Sequence, residues 1–438
     1  MLTALLAATI VAAAPAPTPT PAISQTITLS LTQAVERGLS ENLSYLRAHE
    51  SVATAVARLR QARAPELPFL VLKDAYTHTD PLAALTLHLP PPLGPVTVKQ
   101  GLENANDPRI ALQYTLFDGG KTTSQAGQAA AGLAAVESQL RAAAGTTVQT
   151  VSDGYYRLLE ARQLAEVADE AVRVDQAHVK QAQQFLQAGT VARSDVLRAE
   201  TTLGNDQVAA IRTHNAADVA ESALDDALAY PVTTHLVLTD TISESVPQIA
   251  LETLQQAAQA NRGELQAARY AIAAAHAALG VARSSTVPSL SLQASEGNAQ
   301  PQIVSGYHAQ FLLQLDAVWT LFDHGLTAGR IQEAQSQLGD AELAYRQAVQ
   351  SVDLQVEQAY LDLQAARAGV DAAQRLVAFA DENRRLAEER YKAGVGTAVE
   401  LADAQLNATS AQQSLVKALG DQQTALVDAR YAAGLLGR

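Results

Sequence analysis

Two stretches of the 438-residue chain, 121–187 and 326–392, run for 67 residues each without a proline. Their apolar residues are mostly alanine, the best helix former, and aromatic residues make up only 4% of the chain. At a rise of about 1.5 Å per residue, a helix of this length is about 100 Å long. Compact domains do not contain two such helices, so the chain is predicted to form an elongated coiled coil or a tube.

The two stretches belong to a tandem duplication. Leu116–Gly120 (LFDGG) resembles Leu321–Gly325 (LFDHG), and the offset is 321 − 116 = 205. The same offset aligns further pairs: Tyr155 with Tyr360, Leu158 with Leu363, and Ala188-Gly189 with Ala393-Gly394. A fixed spacing of this kind indicates repeated structural units. We predict a first repeat over 23–230, a linker over 231–250 and a second repeat over 251–438.

Each repeat carries a predicted β-hairpin, over 68–117 and 288–322. Apolar Leu290, Leu292 and Ala294 alternate with Ser and Gln, which gives the strand one apolar face. Such strands suit a tilted crossing of a bilayer, which takes about 9–11 residues. A soluble sandwich would show the same alternation, with the apolar face toward a core. Upstream of the hairpins the repeat offset is 288 − 68 = 220, so 220 − 205 = 15 extra residues lengthen the first hairpin. Between Thr79 and Pro108, they predict a longer outer-surface loop.

The strand exits and the helix ends carry turn signals. Aspartates that cap a helix and glycines that permit a sharp turn follow each second strand, at Asp118, Gly119, Gly120, Asp323 and Gly325. Gly189 and Gly394 suit the left-handed position after a helix. Ser194 and Thr397 are predicted to cap returning helices over 195–230 and 398–433. An opening helix, 31–64 or 251–283, and a returning helix would then lie end to end beside each long helix.

Four strands per chain cannot close a barrel, and an open sheet edge is untenable in lipid because its amides stay unsatisfied. The strands therefore require oligomerisation if they lie in a membrane. Two chains would supply eight strands, mostly filled inside, and three chains would supply twelve, wide enough for a pore.

The duplicated LFDGG-like strand exit, the turn AGTVARSDVL at 188–197 and the paired long helices resemble the TolC-type outer-membrane efflux protein family, over about residues 28–435. The resemblance implies an α+β membrane protein: a homotrimer whose 12-stranded β-barrel in outer-membrane lipid continues into a periplasmic α-helical barrel. It implies a passive exit duct of a tripartite efflux or type I secretion system, with a periplasmic adaptor and an inner-membrane pump of the RND or ABC type as partners. The adaptor-facing tips implied by the family pattern are Gly189, Thr190, Ser194, Asp195, Val196, Leu197, Gly394, Thr397, Val399 and Leu401.

Two further features allow more than one interpretation. Tyr114 and Trp319 are equivalents in the repeat (114 + 205 = 319) and fit either an interfacial aromatic girdle or ordinary strand packing. Acidic residues between 381 and 389 lie where family members gate the tunnel. Interleaved arginines there equally fit a solvated, charge-paired helix face.

Residues 1–22 are predicted to be a signal peptide, because an apolar run over 2–14 precedes a Pro/Thr/Ala stretch that ends at Ala22. The chain has no cysteine, which excludes thiolate chemistry and disulfides. Its net charge of −14 argues against nucleic acid as a partner. No nucleotide-binding, hydrolase or zinc motif occurs, so we predict no enzyme activity, no cofactor and no metal site. A periplasmic coiled-coil scaffold is the alternative, but it gives no reason for two matched hairpins.

Overall fold

The computed structural model describes residues 26–243, 245–299 and 305–437. The predicted signal peptide, 1–22, lies outside the described residues. Within these ranges the chain forms eight α-helices: α1 (Leu31–Glu41), α2 (Leu43–Arg63), α3 (Lys121–Gln187), α4 (Arg193–Ala227), α5 (Leu251–Asn261), α6 (Gly263–Ser284), α7 (Leu326–Lys392) and α8 (Ala398–Ala432). The strands of the same ranges are β1 (Thr26–Leu29), β2 (Phe69–His78), β3 (Ala84–His88), β4 (Pro95–Lys99), β5 (Asn104–Phe117), β6 (His235–Leu238), β7 (Ser289–Asn298) and β8 (Ala309–Val318).

The long helices α3 and α7 have 67 residues each and organise the molecule. Helix α6 packs beside the first part of α3, where Gly280 lies against Ser124. Helix α4 returns along the second part of α3, where Nε2 of His214 lies 3.0 Å from a carboxylate oxygen of Asp169. Helix α8 packs along both α7 and α3. None of the described helices combines the length and the apolar content of a membrane-crossing helix.

The opening helices are each broken in two, which corrects the prediction of one continuous helix over 31–64 and 251–283. The first break falls at Asn42, whose side-chain oxygen accepts the amides of Ser44 and Tyr45 and so caps α2. The second falls at Arg262, which is buried and donates to the side chain of Gln355. At both breaks one residue with extended backbone, Asn42 or Arg262, ends the first helix and begins the second.

Each repeat has its own apolar core, and equivalent residues occupy equivalent places. Val151 and Leu158 of α3 are fully buried, as are their counterparts Val356 and Leu363 of α7. Leu224 of α4 is fully buried in the first core. Apolar burial of this kind is the main favourable contribution to folding. The duplication is therefore preserved in the packing.

The segment predicted as a linker, 231–250, contains a strand that the sequence interpretation missed. Strand β6 pairs in parallel with β1, close to the start of the described chain. The Tyr155 hydroxyl lies within hydrogen-bond distance of two acceptors, the Asp240 carboxylate at 2.7 Å and the Leu29 carbonyl at 3.1 Å. Equivalent arginines then hold the segment at both ends: Arg162 donates to the Leu236 carbonyl, and Arg367 donates to the carbonyl of Pro247.

The predicted hairpins combine into one antiparallel sheet with the order β2-β5-β7-β8. Its last strand ends at Val318, so residues 319–322 lie outside the strand that was predicted to reach 322. The extra residues of the first hairpin are not a plain loop, because β3 and β4 within them form a second hairpin. The first returning helix begins at Arg193 rather than Asp195 and ends at Ala227 rather than Tyr230.

Candidate functional site

The four-stranded sheet has one face of apolar side chains. In the observed register Leu70, Leu112, Ala294 and Leu313 form one row across the four strands. Two neighbouring rows on the same face carry aliphatic or aromatic side chains at most positions: Leu72, Ile110, Glu296 and Phe311, and then Tyr114, Leu292 and Leu315. Many of these side chains are open to the surroundings, including Leu72, which is 79% exposed. A contiguous exposed apolar surface of this size marks a contact with lipid or protein.

The opposite face is more polar. Gln113, Gln293 and Gln314 lie directly beside one another on three adjacent strands. The next row contains Thr115, Ser291 and Asp316, and at the other end of the sheet Lys73 is paired with Arg109. Arg109 lies 3.4 Å from the Asp107 carboxylate. A sheet with one apolar and one polar face can separate lipid from water.

Strands β2 and β8 are the two edges of this sheet. All three of its ladders are antiparallel, so β2 and β8 run in opposite directions. An edge strand presents a row of unpaired backbone donors and acceptors. The β8 edge of one copy can therefore pair with the β2 edge of another and continue the antiparallel order.

The strand-to-helix turns contain the predicted residues in a different arrangement. The N-cap positions of α3 and α7 are Gly120 and Gly325, both with positive φ, and not the aspartates. The carboxylate of Asp118 nevertheless accepts the Thr122 amide at 2.8 Å, and Asp323 accepts the Thr327 amide at the same distance.

The glycine before the first N-cap has its own packing reason. A Cβ on Gly119 would lie 2.6 Å from the Ser284 carbonyl oxygen at the end of α6. The two repeats therefore approach each other closely at this turn.

Tyr114 and Trp319 lie at different positions along the ladder. Tyr114 is within β5 and faces Leu292, which in turn faces Leu315. Trp319 lies four residues beyond Leu315 and one residue beyond the end of β8. Its indole nitrogen donates to the Thr286 carbonyl at 3.2 Å, at the junction between strands and helices.

The long helices form a rod with the sheet at one end. At the opposite end, residues 187–193 form the turn that is called the first tip. Gly189 adopts φ +76, its amide donates to the Leu186 carbonyl, and the Thr190 amide donates to the Phe185 carbonyl. These two backbone hydrogen bonds satisfy carbonyl groups in the last turn of α3. The N-cap of α4 is Ala192, which has no capping side chain, so the prediction that Ser194 caps this helix is wrong.

The second tip is residues 392–398. Gly394 (φ +71) ends α7 with the same pair of backbone bonds, to the carbonyls of Tyr391 and Arg390. Here the predicted cap is observed: the Thr397 hydroxyl accepts the Glu400 amide at 3.1 Å, and the Glu400 carboxylate accepts the Thr397 amide. This reciprocal pair is a capping box.

Two of the predicted tip residues face the interior of the helical hairpins. Val196 is 7% exposed and its repeat equivalent Leu401 is 6% exposed, so both pack between helices. Leu197 and Val399 are exposed. The tip surface available to a partner therefore includes the glycine turns and these two aliphatic side chains.

The acidic residues of 381–389 lie on a charge-paired helix face. Arg385 bridges Glu382 and Glu389, and Arg384 lies within 4 Å of Asp381 and Glu388. Among the described residues, no group of His, Asp and Glu side chains is arranged to hold a metal ion.

A buried carboxyl group between the helices of the two tips was missed by the sequence interpretation. Asp175 of α3 is 4% exposed, and its Oδ2 atom has no hydrogen-bond partner. With Gln405 of α8, it lines a cavity of about 40 Å³ between α3, α4, α7 and α8. Burial and the nearby Asp206 carboxylate raise the pKa of Asp175 to about 7. An acid on a helix carries no local signal of such burial.

A family model described as "Outer membrane efflux protein" matches residues 34–229 and 254–435, which fall within the two repeats. The chain belongs to the outer membrane efflux protein family. Family members are outer-membrane channels and not enzymes. They form trimers that work with an adaptor and an inner-membrane pump. Membership places this protein in the outer membrane, with a long periplasmic helical extension, and removes the coiled-coil scaffold as an alternative.

Individual relatives agree with this assignment. The chain is 27% identical to protein CyaE of Bordetella pertussis over 422 residues, which cover 94% of this chain and 85% of CyaE. It is 25% identical to nodulation protein T of Rhizobium leguminosarum bv. trifolii, with 89% and 82% covered. The solved outer membrane protein VceC of Vibrio cholerae has the same fold, with a TM-score of 0.76, 18% identity, and 92% and 96% covered. The predicted α+β membrane fold class is confirmed.

Proposed function

We propose that this efflux protein is one subunit of a homotrimeric exit duct, in which three four-stranded sheets close into a 12-stranded barrel. The observation that carries the proposal is the open antiparallel sheet, with one apolar face and two free edges of opposite direction. Joining β8 of each copy to β2 of the next satisfies both edges and leaves no unpaired strand in lipid. The apolar face then meets outer-membrane lipid, and the row of glutamines faces the lumen.

The register within the sheet supports a closed barrel. Tyr114 of β5 and Leu315 of β8 are both paired with Leu292 of β7, and they are 315 − 114 = 201 residues apart. The repeat spacing is 205, so equivalent residues are displaced by four positions over two strands. Strands that tilt around a barrel axis require such a stagger. Residues related by the repeat, including Tyr114 and Trp319, then lie at one height, as members of an interfacial girdle would.

The two tips are the proposed docking surface for a periplasmic adaptor, which joins the duct to an inner-membrane pump of the RND or ABC type. Both tips lie at the end of the rod opposite the sheet, and both expose a glycine turn beside an aliphatic side chain. The duct is passive, and the energy for export comes from the pump.

The trimer is tested on protein extracted from the outer membrane in mild detergent. We expect a native mass of three chains and, after insertion into a planar bilayer, a stable single-channel conductance. A monomeric native mass would contradict the closure of β8 onto β2.

Adaptor docking is tested by photo-crosslinking in cells. A photoreactive residue at Leu197 or Val399, one on each tip, is expected to crosslink a periplasmic protein. The control is Leu361 on α7, which is 56% exposed and so as open as Leu197 at 53%, but lies away from both tips. Equal capture from Leu361 would contradict tip docking.

A further inference from the structure

The hairpin of β3 and β4 stands apart from the main sheet. Its strands pair only with each other in the described sheets, in the register Leu85–Val98, Thr86–Thr97 and Leu87–Val96. It lies within the 25 residues that separate β2 from β5, where the first repeat is longer than the second.

The two faces of this hairpin differ sharply. Leu85, Leu87, Val96 and Val98 share one face, and each is between 41% and 47% exposed. Leu89, bonded through its amide to the Gly94 carbonyl, extends the same stripe. The other face carries Thr86 and Thr97, whose hydroxyls lie 3.2 Å apart.

An isolated two-stranded hairpin is at best marginally stable in water, and an aliphatic face adds a cost of exposure. The base of the hairpin is polar: the Tyr76 hydroxyl and the His78 ring contact the Asn104 side chain at the last rung of the β2–β5 ladder. The apolar stripe is therefore separated from the apolar face of the sheet by a polar collar, and it needs a cover of its own.

The position of the hairpin indicates what covers it. It is continuous with β2, the edge strand that borders the next copy in a trimer. From Thr79 to Pro91 its arm can extend about 40 Å at about 3.3 Å per residue. Twelve tilted strands enclose a barrel of radius roughly 12 Å. Each hairpin is thus long enough to reach the threefold axis and the hairpins of its neighbours.

We propose that the apolar faces of the β3–β4 hairpins pack against one another between copies of this chain, at the outer mouth of the duct. This contact rests on the trimer proposed above and extends the β2–β8 contact beyond the bilayer. It gives the outer mouth a cover of three amphipathic hairpins that must part for cargo to leave.

The chain has no cysteine, so single cysteines can report on the contact without background. Leu87→Cys lies on the apolar face, and Thr86→Cys, one residue away on the other face, is the matched control. Full-length variants in the outer membrane are treated with a short bis-maleimide and separated on denaturing gels. We expect several-fold more covalent dimer from Leu87→Cys than from Thr86→Cys. Val98→Cys repeats the test from the partner strand.

Four outcomes would overturn the proposal. Equal crosslinking from both faces, or none from Leu87→Cys and Val98→Cys in protein that is trimeric on a native gel, overturns the hairpin contact and leaves the trimer intact. A fluorophore attached to the thiol of the Leu87→Cys variant gives the second test. If brominated phosphatidylcholine vesicles quench it, lipid covers the face, which also overturns the hairpin contact. A monomeric native mass contradicts the proposed trimer itself, and with it the contact.

Discussion

The first and second tips are equivalents in the repeat, yet they are stabilised differently. Both end a long helix at a left-handed glycine with the same two backbone bonds. The returning helix of the second tip then starts with the Thr397 capping box, whereas that of the first tip starts at Ala192 without a side-chain cap. Ion pairs of Arg385 and Lys392 line α7 just before the second tip. Behind both tips, α3 buries Asp175 with one carboxylate oxygen unsatisfied, in a cavity that Ala398 of the second tip also lines.

The difference indicates that the returning helix of the second tip has a side-chain cap that the returning helix of the first tip lacks. Local opening is easiest where few interactions must be broken. Opening of the first tip is therefore expected to be easier, and Asp175 is expected to make the opening of both tips depend on pH. For the caps and the glycines, single substitutions change one tip at a time, with the other tip as an internal reference.

The largest effect is expected from Asp175→Asn. The folded-state pKa of about 7 lies above the ordinary value of 3.8, so the folded chain binds this proton more tightly than the unfolded chain. Stability is thus full below about pH 4, falls between the two values, and stays reduced above pH 7. The neutral amide of Asn should therefore raise the free energy of unfolding by about 2 to 4 kcal/mol at pH 8. Hydrogen exchange at pH 8 should slow at 187–193 and at 392–398, because the cavity that Asp175 lines lies between the helices of both tips.

Unchanged or faster exchange at both tips would show that Asp175 does not weaken them. Asp169→Asn is the control, because Asp169 lies on the same helix but is exposed and contacts only His214 in the described hydrogen bonds.

A smaller effect, of the same size in both variants, is expected from Gly189→Ala and Gly394→Ala. Both glycines have positive φ, and an added Cβ would meet nothing within 4 Å at either position. The cost is therefore the left-handed backbone alone, about 1 kcal/mol at each tip. Hydrogen exchange should accelerate to the same extent at the altered tip in each variant. Unequal acceleration would reveal coupling of one turn to the helices around it.

Swapping the capping residues between the two tips tests the difference directly. Thr397→Ala removes the capping box and should weaken the start of α8 by about 1 kcal/mol. Ala192→Thr places the same side chain at the uncapped start of α4 and should slow exchange there. If the two tips keep their original exchange rates in the double variant, the cap is not the source of their difference.

The smallest effect is expected from Arg385→Gln. This side chain bridges Glu382 and Glu389 on an exposed helix face, where ion pairs contribute little and are screened by salt. Exchange along the end of α7 should accelerate slightly in dilute buffer and not at all in concentrated salt. An effect as large as that of Thr397→Ala would mean that the arginine also contacts another subunit.

Features encoded within a few residues were accessible from the sequence. The absence of proline over 121–187 and 326–392, with glycines just beyond, indicates where the long helices α3 and α7 run, since helix signals act over one or two turns. Alternation in Ser289–Ala294 indicates a strand for the same reason. The spacing of 205 revealed the duplication, which the equivalent buried residues Leu158 and Leu363 reflect.

Only the tertiary structure decided features that depend on distant residues. Strand β6 has four residues and forms because β1, about 209 positions earlier (235 − 26), supplies its hydrogen bonds. The burial of Arg262 against Gln355 depends on α7, and the burial of Asp175 depends on α4, α7 and α8. The sequence by itself thus determined the long helices, the strands of the main sheet and their repetition, because those follow from local sterics and periodicity. Which side chains are buried, and which faces remain open for another copy, was decided by long-range packing.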